Sequence, residues 1–590
     1  MIRGWGRIAG AVAIVAASVM LTVMGGCRSP AREAPAPGKI YQKNSTHASV
    51  PDERIAQGEV LATKYCAACH MLPSPDLLDA GSWEKGVLPQ MGPRLGIFEY
   101  GQQRYPNNSH DPNVGRDFYP SEPLLSAEEW GAVIDYYTAL APDSLPHQHR
   151  DQPLREDLTD FAVVAPAMRD KTPPATCLIR YDSGTHQVLT SDILRHAVDW
   201  WDVSGLARGA GWEGIGALGR GGGDGAAKMR RTAAISGAVV DLASDQGGYT
   251  ACNIGVFAPN NAKAGHIDRL SGAGRGLMPG DTPVYNGLMR PVSLAAADLN
   301  GDGAIDWVVC EFGFIKGELS WLENKGGGRY EKHILRAVPG AIRVVVQDYN
   351  HDGLPDLWVL FAQGDEGIFL YTNKGHGQFA EQRILTFPPC YGSTYFELDD
   401  FNRDGHPDIL YTCGDNGDFS TVLKPYHGVY IFQNDGHEHF TQRYFFPMNG
   451  CYRAMARDFD GDGDPDIACI AYFADFRSQP DEGFVYLENR GDGQFMPHTV
   501  AAARCGRWIT MDVADIDGDG RPDILLANCS VGPGFIQSAT DWKKGPSFIV
   551  LRNRMGRKTG LISPGKASPK TLPCVAVRSP AWYHPSIRHS

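Results

Sequence analysis

A nine-residue stretch, Asp458-Phe-Asp-Gly-Asp-Gly-Asp-Pro-Asp466, constrains this chain more than any other feature, because related copies begin at Asp298, Asp348, Asp400 and Asp515. Carboxylates at its first, third, fifth and ninth positions, with a glycine at the sixth, can fold back on one hard cation and offer it several oxygens. Calcium is the ion such a set suits. The five starts lie 50, 52, 58 and 57 residues apart by subtraction, an interval that holds about four strands and their turns.

The surrounding sequence supports that arithmetic. Short apolar or alternating runs such as Val344-Val-Val346, Leu357-Trp-Val-Leu360, Ile368-Phe-Leu-Tyr371 and Phe484-Val-Tyr-Leu487 are bounded by Gly, Asn and Asp, which reads as all-β. Each repeat ends in an Asn/Gly hairpin closed by an aromatic, as in Tyr371-Thr-Asn-Lys-Gly-His-Gly-Gln-Phe379 and Leu487-Glu-Asn-Arg-Gly-Asp-Gly-Gln-Phe495. Radial sheets of this size make a β-propeller. Residues 160–290 have the length of two further repeats, so seven blades are expected, with six or eight as alternatives. Residues 196–250 read as irregular, since Trp212 to Gly225 is largely glycine with little to pack and no strand period.

Loops and hairpins together resemble the FG-GAP or VCBS repeats of integrin-α-like propellers over residues 290–551. That resemblance implies calcium ligands at Asp298, Asn300, Asp302 and Asp306; at Asp348, Asn350, Asp352 and Asp356; and at Asp400, Asn402, Asp404 and Asp408. It further implies Asp458, Asp460, Asp462 and Asp466, and Asp515, Asp517, Asp519 and Asp523. The last two loops carry most charge, and an Asn at the third position should weaken the first three. Arg290, Arg343, Arg453 and Arg507 precede loops by 8, 5, 5 and 8 residues; mixed parity implies opposite strand faces and no shared pocket.

The amino-terminal end has a different character. Arg3 and Arg7 precede an apolar run from Ile8 to Met24 and then Gly25, Gly26 and Cys27, as in an export signal of lipoprotein type over residues 1–27; an uncleaved anchor helix is the alternative. Either reading places the protein outside the cytoplasm, periplasmic or at the cell surface, tethered to a membrane. Residues 28–50 read as a flexible tether. A formal charge of -13 makes nucleic acid an unexpected partner. Several of the later cysteines, such as Cys469, lie in apolar strand-like runs and read as buried thiols.

Cys66-Ala-Ala-Cys69-His70 is the most specific chemical motif in the chain. Two thiols at this spacing can add to the two vinyl groups of one haem, and the adjacent imidazole can then ligate its iron. A zinc or redox CxxC is the alternative, though the next cysteine is Cys177. Helices are expected over Asp52 to Tyr65, with Ile55, Gly58, Leu61, Ala62 and Tyr65 on one side, and after Ser126-Ala-Glu-Glu129, which has the form of a capping box. Residues 51–150 thus resemble a small all-α c-type cytochrome domain, in which the first and last helices cross at a small residue, a role for Gly58. Met91, read as lying in a non-helical loop, is the expected distal iron ligand, with His110 as runner-up. Cys66 and Cys69 are the thioether positions and His70 the proximal ligand.

The whole resembles exported multidomain bacterial cytochromes. That implies haem c and calcium as cofactors, a redox partner protein, and one-electron transfer with the propeller as a docking scaffold. A propeller dehydrogenase acting on a sugar or alcohol is the rival, and an adhesion module the third reading. Residues 552–590, basic and without Asp or Glu, read as a disordered tail.

Overall fold

The computed structural model describes residues 40–166, 172–204, 227–245, 248–271, 278–279, 282–417, 420–534 and 536–556. The export signal, most of the tether, the Trp212 to Gly225 stretch and most of the basic tail lie outside the described residues.

A helical unit comes first. The helix Asp52–Tyr65 starts after Pro51 in extended conformation, carries Asp52 and Glu53 in its first turn and Lys64 in its last, and buries Ile55, Gly58 and Ala62. The second long helix, Ala127–Leu140, opens on the expected capping box: the Glu129 amide donates to Ser126 Oγ at 3.2 Å, and the Ser126 amide to Glu129 Oε2 at 2.8 Å. The two helices cross at Gly58, where a Cβ would sit 2.7 Å from that of Tyr136 and inside contact distance of the Ala132 carbonyl. Two expectations are corrected here. Residues 40–50 do not hang free: Tyr41 is buried and donates to Glu59 at 2.7 Å, and the Asn44 side chain donates to the carbonyls of Thr138 and Ala141, each at 2.7 Å. Met91 ends the short helix Leu88–Met91 and is not in a loop; Pro89 sits in its first turn, where a missing amide costs nothing and φ is preset.

Seven sheets follow in a ring. Blade 1 spans Thr176–Asp182 to Lys228–Ala234, and blade 2 Val239–Asp245 to Tyr285–Leu288. Blade 3 runs from Pro291–Ala297 to Tyr330–Arg336, blade 4 from Ala341–Gln347 to Phe379–Thr386, and blade 5 from Ser393–Asp399 to Phe440–Pro447. Blade 6 spans Cys451–Arg457 to Phe495–His498, and blade 7 has Trp508–Ala514, Asp523–Asn528 and Phe548–Asn553. Its fourth strand is Phe161–Val164, from the amino-terminal side of blade 1, which pairs antiparallel with Phe548–Asn553 from Phe161↔Asn553 to Val164↔Val550. The two ends of the ring are thereby stitched together, and blade 7 gains the outer fourth strand that its own end of the chain lacks. The strands Ala197–Asp202, Lys228–Ala234 and Val239–Asp245 are regular, so residues 196–250 contribute to two blades and are not irregular throughout. The propeller also extends past 551, to Asn553.

Apolar side chains from neighbouring blades interlock. Val308 and Trp321 of blade 3 meet Val359 and Phe369 of blade 4, and the second strands Asp306–Glu311, Asp356–Phe361, Asp408–Cys413 and Asp466–Ala471 are buried along their whole length. Strands buried on both faces read as continuous apolar runs, which is why the alternating pattern was weak in sequence.

Every first strand carries a one-residue register shift against the second, as between Ala341 and Arg343, Ser393 and Tyr395, and Cys451 and Arg453. A bulge of this kind re-aims the next side chain. Arg343 and Arg453, which share the offset of five residues, pack over one ring, Tyr395, at 4.1 and 4.4 Å, whereas Arg290 and Arg507 lie against Phe312 and Tyr472, so the four arginines do not line one pocket.

Candidate functional sites

The five acidic loops join the first strand of a blade to the second, and all five fold alike. The ninth-position carboxylate is the pin. Asp466 accepts from the Phe459 amide at 3.1 Å, from the Asn489 amide at 2.8 Å and from the Tyr486 hydroxyl at 2.7 Å. Asp306, Asp356, Asp408 and Asp523 accept the corresponding two amides. The partner asparagine in each hairpin then returns a bond: Asn489 donates to the Pro465 carbonyl at 3.0 Å, and Asn553 to that of Pro522 at 3.2 Å. Burial raises the ninth-position carboxyls, Asp306 and Asp408 to about 6 and Asp466 and Asp523 to about 7. At the first position, Asp458 caps the loop by accepting from the amides of Gly461 at 2.8 Å and Gly463 at 3.0 Å. Gly463 has φ of 96°, which a side chain at the sixth position would strain.

Where the loop has three aspartates at positions one, three and nine, the carboxylates gather. Oxygens of Asp458, Asp460 and Asp466 lie within 4.8 Å of one another, as do those of Asp515, Asp517 and Asp523. Both donor sets fit a hard divalent cation. The fifth-position residues Asp462 and Asp519 stand outside these groups. In the fifth loop Arg552 pairs with Asp517 and Arg521 with Asp519. In the first three loops the third-position amides of Asn300, Asn350 and Asn402 donate to Asp302, Asp352 and Asp404 at 3.1, 2.9 and 2.7 Å.

One further cluster was not anticipated. Glu323, Glu331 and His333 approach within 4.8 Å beside an open cavity of about 440 Å³ whose lining includes Asn300, Trp321 and His376. Lys325 lies 2.7 Å from Glu323 and 3.3 Å from Glu331 and already neutralises it. These residues belong to a hairpin whose sequence signalled only a turn.

The Cys66-to-His70 motif forms the turn that follows helix Asp52–Tyr65. Both thiols are free, Cys66 half-buried and Cys69 exposed; burial, then the neighbouring Cys69, raises Cys66 to about 11. The His70 Nδ1 lies 2.8 Å from the Met71 carbonyl. A hydrogen bond there puts the ring proton on Nδ1 and leaves Nε2 with a free lone pair, the arrangement a metal-ligating imidazole needs. Met91 and Cys66 pack against one apolar cluster with Trp83, Trp130 and Tyr137 at its centre. His110 is exposed and outside that cluster. The donor set of two free thiols, an imidazole and a nearby thioether fits a covalently held haem.

The helical unit and the acidic loops occupy opposite faces of the ring. Strands in each blade are antiparallel, so the first-to-second and third-to-fourth connections share one face and the others the opposite one. Every contact with the helical unit falls on the second set. Tyr426 donates to the Leu77 carbonyl at 3.0 Å, Ser82 and Ser420 hydroxyls meet at 3.0 Å, and Asn261 donates to Asp111 at 2.9 Å. Gln148 donates to the His427 carbonyl at 2.7 Å, and Arg150 pairs with the fully buried Glu482. Cys390 and Val422 of the propeller join the cluster that holds Cys66 and Met91.

The model of the FG-GAP-like repeat matches residues 298–359, 348–411 and 458–526, which take in all five acidic loops. These are FG-GAP repeats. They cover blades 3 to 7 in part, while blades 1 and 2 complete the ring without an acidic loop of this pattern. Among solved structures, a chain from an S. cerevisiae complex of Dbp5 with Nup159 and Gle1 is 11% identical, covers 69% of this chain and 98% of its own, and has a TM-score of 0.40. The Pseudomonas aeruginosa periplasmic gluconolactonase is 8% identical over 58% of this chain and 96% of its own, at a TM-score of 0.38. A putative 6-phosphogluconolactonase from Bacteroides fragilis is 10% identical over 58% and 96%, at 0.36. Likenesses at these scores carry no argument about activity. No described helix is long and apolar enough to cross a membrane.

Proposed function

We propose that this chain is an exported c-type cytochrome in which the FG-GAP propeller serves as a calcium-binding docking module and the helical unit carries one haem for single-electron transfer. The carrying observation is the Cys66-to-His70 turn: two free thiols and an imidazole whose Nε2 is left open by the bond from Nδ1 to the Met71 carbonyl. A covalently held haem supplies one-electron chemistry between its ferrous and ferric states. In this reading Cys66 and Cys69 would hold the group and His70 and Met91 would supply its iron ligands, a filled set that favours a carrier over an oxygen-activating site. The propeller orients the unit, through Tyr426, Gln148 and Arg150, toward a redox partner protein. Export and membrane tethering follow from the Arg3-to-Cys27 segment as read from sequence.

A reduced-minus-oxidised spectrum of the exported protein, with a haem stain after denaturing electrophoresis, tests this reading. Covalent haem that is lost in the Cys66→Ala, Cys69→Ala double variant is the expected result; a wild-type protein that exports and folds without it overturns the proposal. Haem reduction by added sugars or alcohols without a partner protein would favour a dehydrogenase.

A further inference from the structure

On the face of the ring that also carries the helical unit, one guanidinium is buried without a counter-charge. Arg507 precedes the first strand of blade 7 and is 2% exposed. Its amide donates to Asn528 Oδ1 at 3.0 Å, its Nε donates to the Tyr472 carbonyl at 2.9 Å, and the planar head lies 3.8 Å over the Tyr472 ring. Nη2 is buried and has no hydrogen-bond partner among the described residues, and no described carboxylate lies within ion-pair distance. Arg457 is matched with Glu397 and Arg180 with Asp241 and Asp512, while Arg343 and Arg453 lie over Tyr395 and donate to carbonyl and hydroxyl oxygens, with no buried nitrogen left unpartnered among the described residues. An unpaired buried charge is expensive, and nature rarely leaves one without a partner.

Arg507 lines a cavity of about 270 Å³ enclosed by the loop between the second and third strands of blade 7. Ser530, Ser538, Thr540, Trp542 and Lys543 complete its polar and aromatic wall. Asp541 is also on the wall, but its carboxylate is engaged with Lys544 at 3.1 Å and the Lys543 amide at 3.3 Å. Gly532 lies against the guanidinium so closely that a Cβ there would overlap Nη1 and the Tyr472 hydroxyl. We propose that this cavity binds the carboxylate of a small organic acid, with Arg507 as its buried counter-charge, Lys543 at the mouth and the Ser538 and Thr540 hydroxyls as further donors; the Ser530 hydroxyl is committed to the Pro174 carbonyl at 2.7 Å. The volume falls below the range of about 300–1,000 Å³ typical of drug-sized ligands, which favours a short acid. This site is independent of the haem assignment.

The test is thermal unfolding and calorimetric titration of the full chain with propionate, at ionic strength held constant with sodium chloride, against propionamide and inorganic phosphate. Propionate is expected to raise Tm in a saturable way, propionamide to have no effect, Lys543→Ala to weaken binding roughly three- to tenfold, and Arg507→Gln to abolish it. A wild-type Tm indifferent to propionate, an equal response to propionamide, or a response that persists in Arg507→Gln overturns the proposal. Preference for phosphate overturns the ligand class. If Arg507→Gln does not fold, Lys543→Ala takes its place, and undiminished propionate binding in that exposed-site variant overturns the proposal.

Discussion

Single residues carry more of this fold than their number suggests. Gly58 is the contact point of the two long helices, with no room for a Cβ against the Ala132 carbonyl. Gly58→Val should therefore cost about 3 kcal/mol or more, seen as loss of hydrogen-exchange protection over residues 52–65, with the propeller unaffected. Asp466 is a different kind of anchor. Its two oxygens hold the Phe459 and Asn489 amides and the Tyr486 hydroxyl, all buried. Asp466→Ala should cost about 3 kcal/mol in urea unfolding even in the presence of a calcium chelator, because the donors are orphaned whether or not an ion is bound. Gly58 and Asp466 were both visible in sequence as positions. Their strengths were not, since these depend on what lies opposite.

At the scale of elements, the acidic loops that look equivalent in sequence separate into classes. The fourth and fifth loops each gather three carboxylates, and in the fifth Arg552 pairs with Asp517. Terbium luminescence should report binding at these two loops before the first three, whose third position is an Asn. Arg552→Gln should tighten the fifth severalfold, and Asp460→Asn should weaken only the fourth. Another element became visible only in three dimensions: the connector near Arg155 runs beside the outer strand of blade 6, with Thr499 donating to the Arg155 carbonyl at 2.8 Å. His498 fastens it, 3.3 Å from Glu488 and 2.6 Å from Asp157, and these two carboxylates raise its pKa above 6.5. Because the folded pKa lies above the unfolded one, this stabilisation is complete below about pH 6.5 and is lost as pH rises through the folded value. His498→Gln should cost about 1–2 kcal/mol near pH 5.5 and little near pH 8.5, measured by urea unfolding at both.

Across the whole molecule, two long-range closures decide the architecture. Phe161–Val164 completes blade 7 from the far end of the chain, and the segment after the second long helix docks the helical unit through Gln148 and the buried Arg150–Glu482 pair. Glu482→Ala leaves a buried guanidinium unmatched and should cost about 3–5 kcal/mol of docking. Faster proteolysis between residues 141 and 160 and a larger radius of gyration in solution scattering would report it; unchanged cleavage would show that the apolar contacts suffice.

What the chain's sequence determined by itself was local and periodic: the acidic loop and its interval, hence radial four-stranded sheets; the Asn/Gly hairpins; the helix over Asp52–Tyr65; the capping box at Ser126; and the spacing of Cys66, Cys69 and His70. These are properties of a few consecutive residues, and short-range sterics, hydrogen bonding and hydrophobic period suffice to set them. Only the tertiary structure decided which strand closes the ring, which face receives the helical unit, which acidic loops gather their carboxylates, and that Arg507 lies buried without a counter-charge. Each of those depends on residues brought together from distant points in the chain, at separations that vary from blade to blade and leave no period to read.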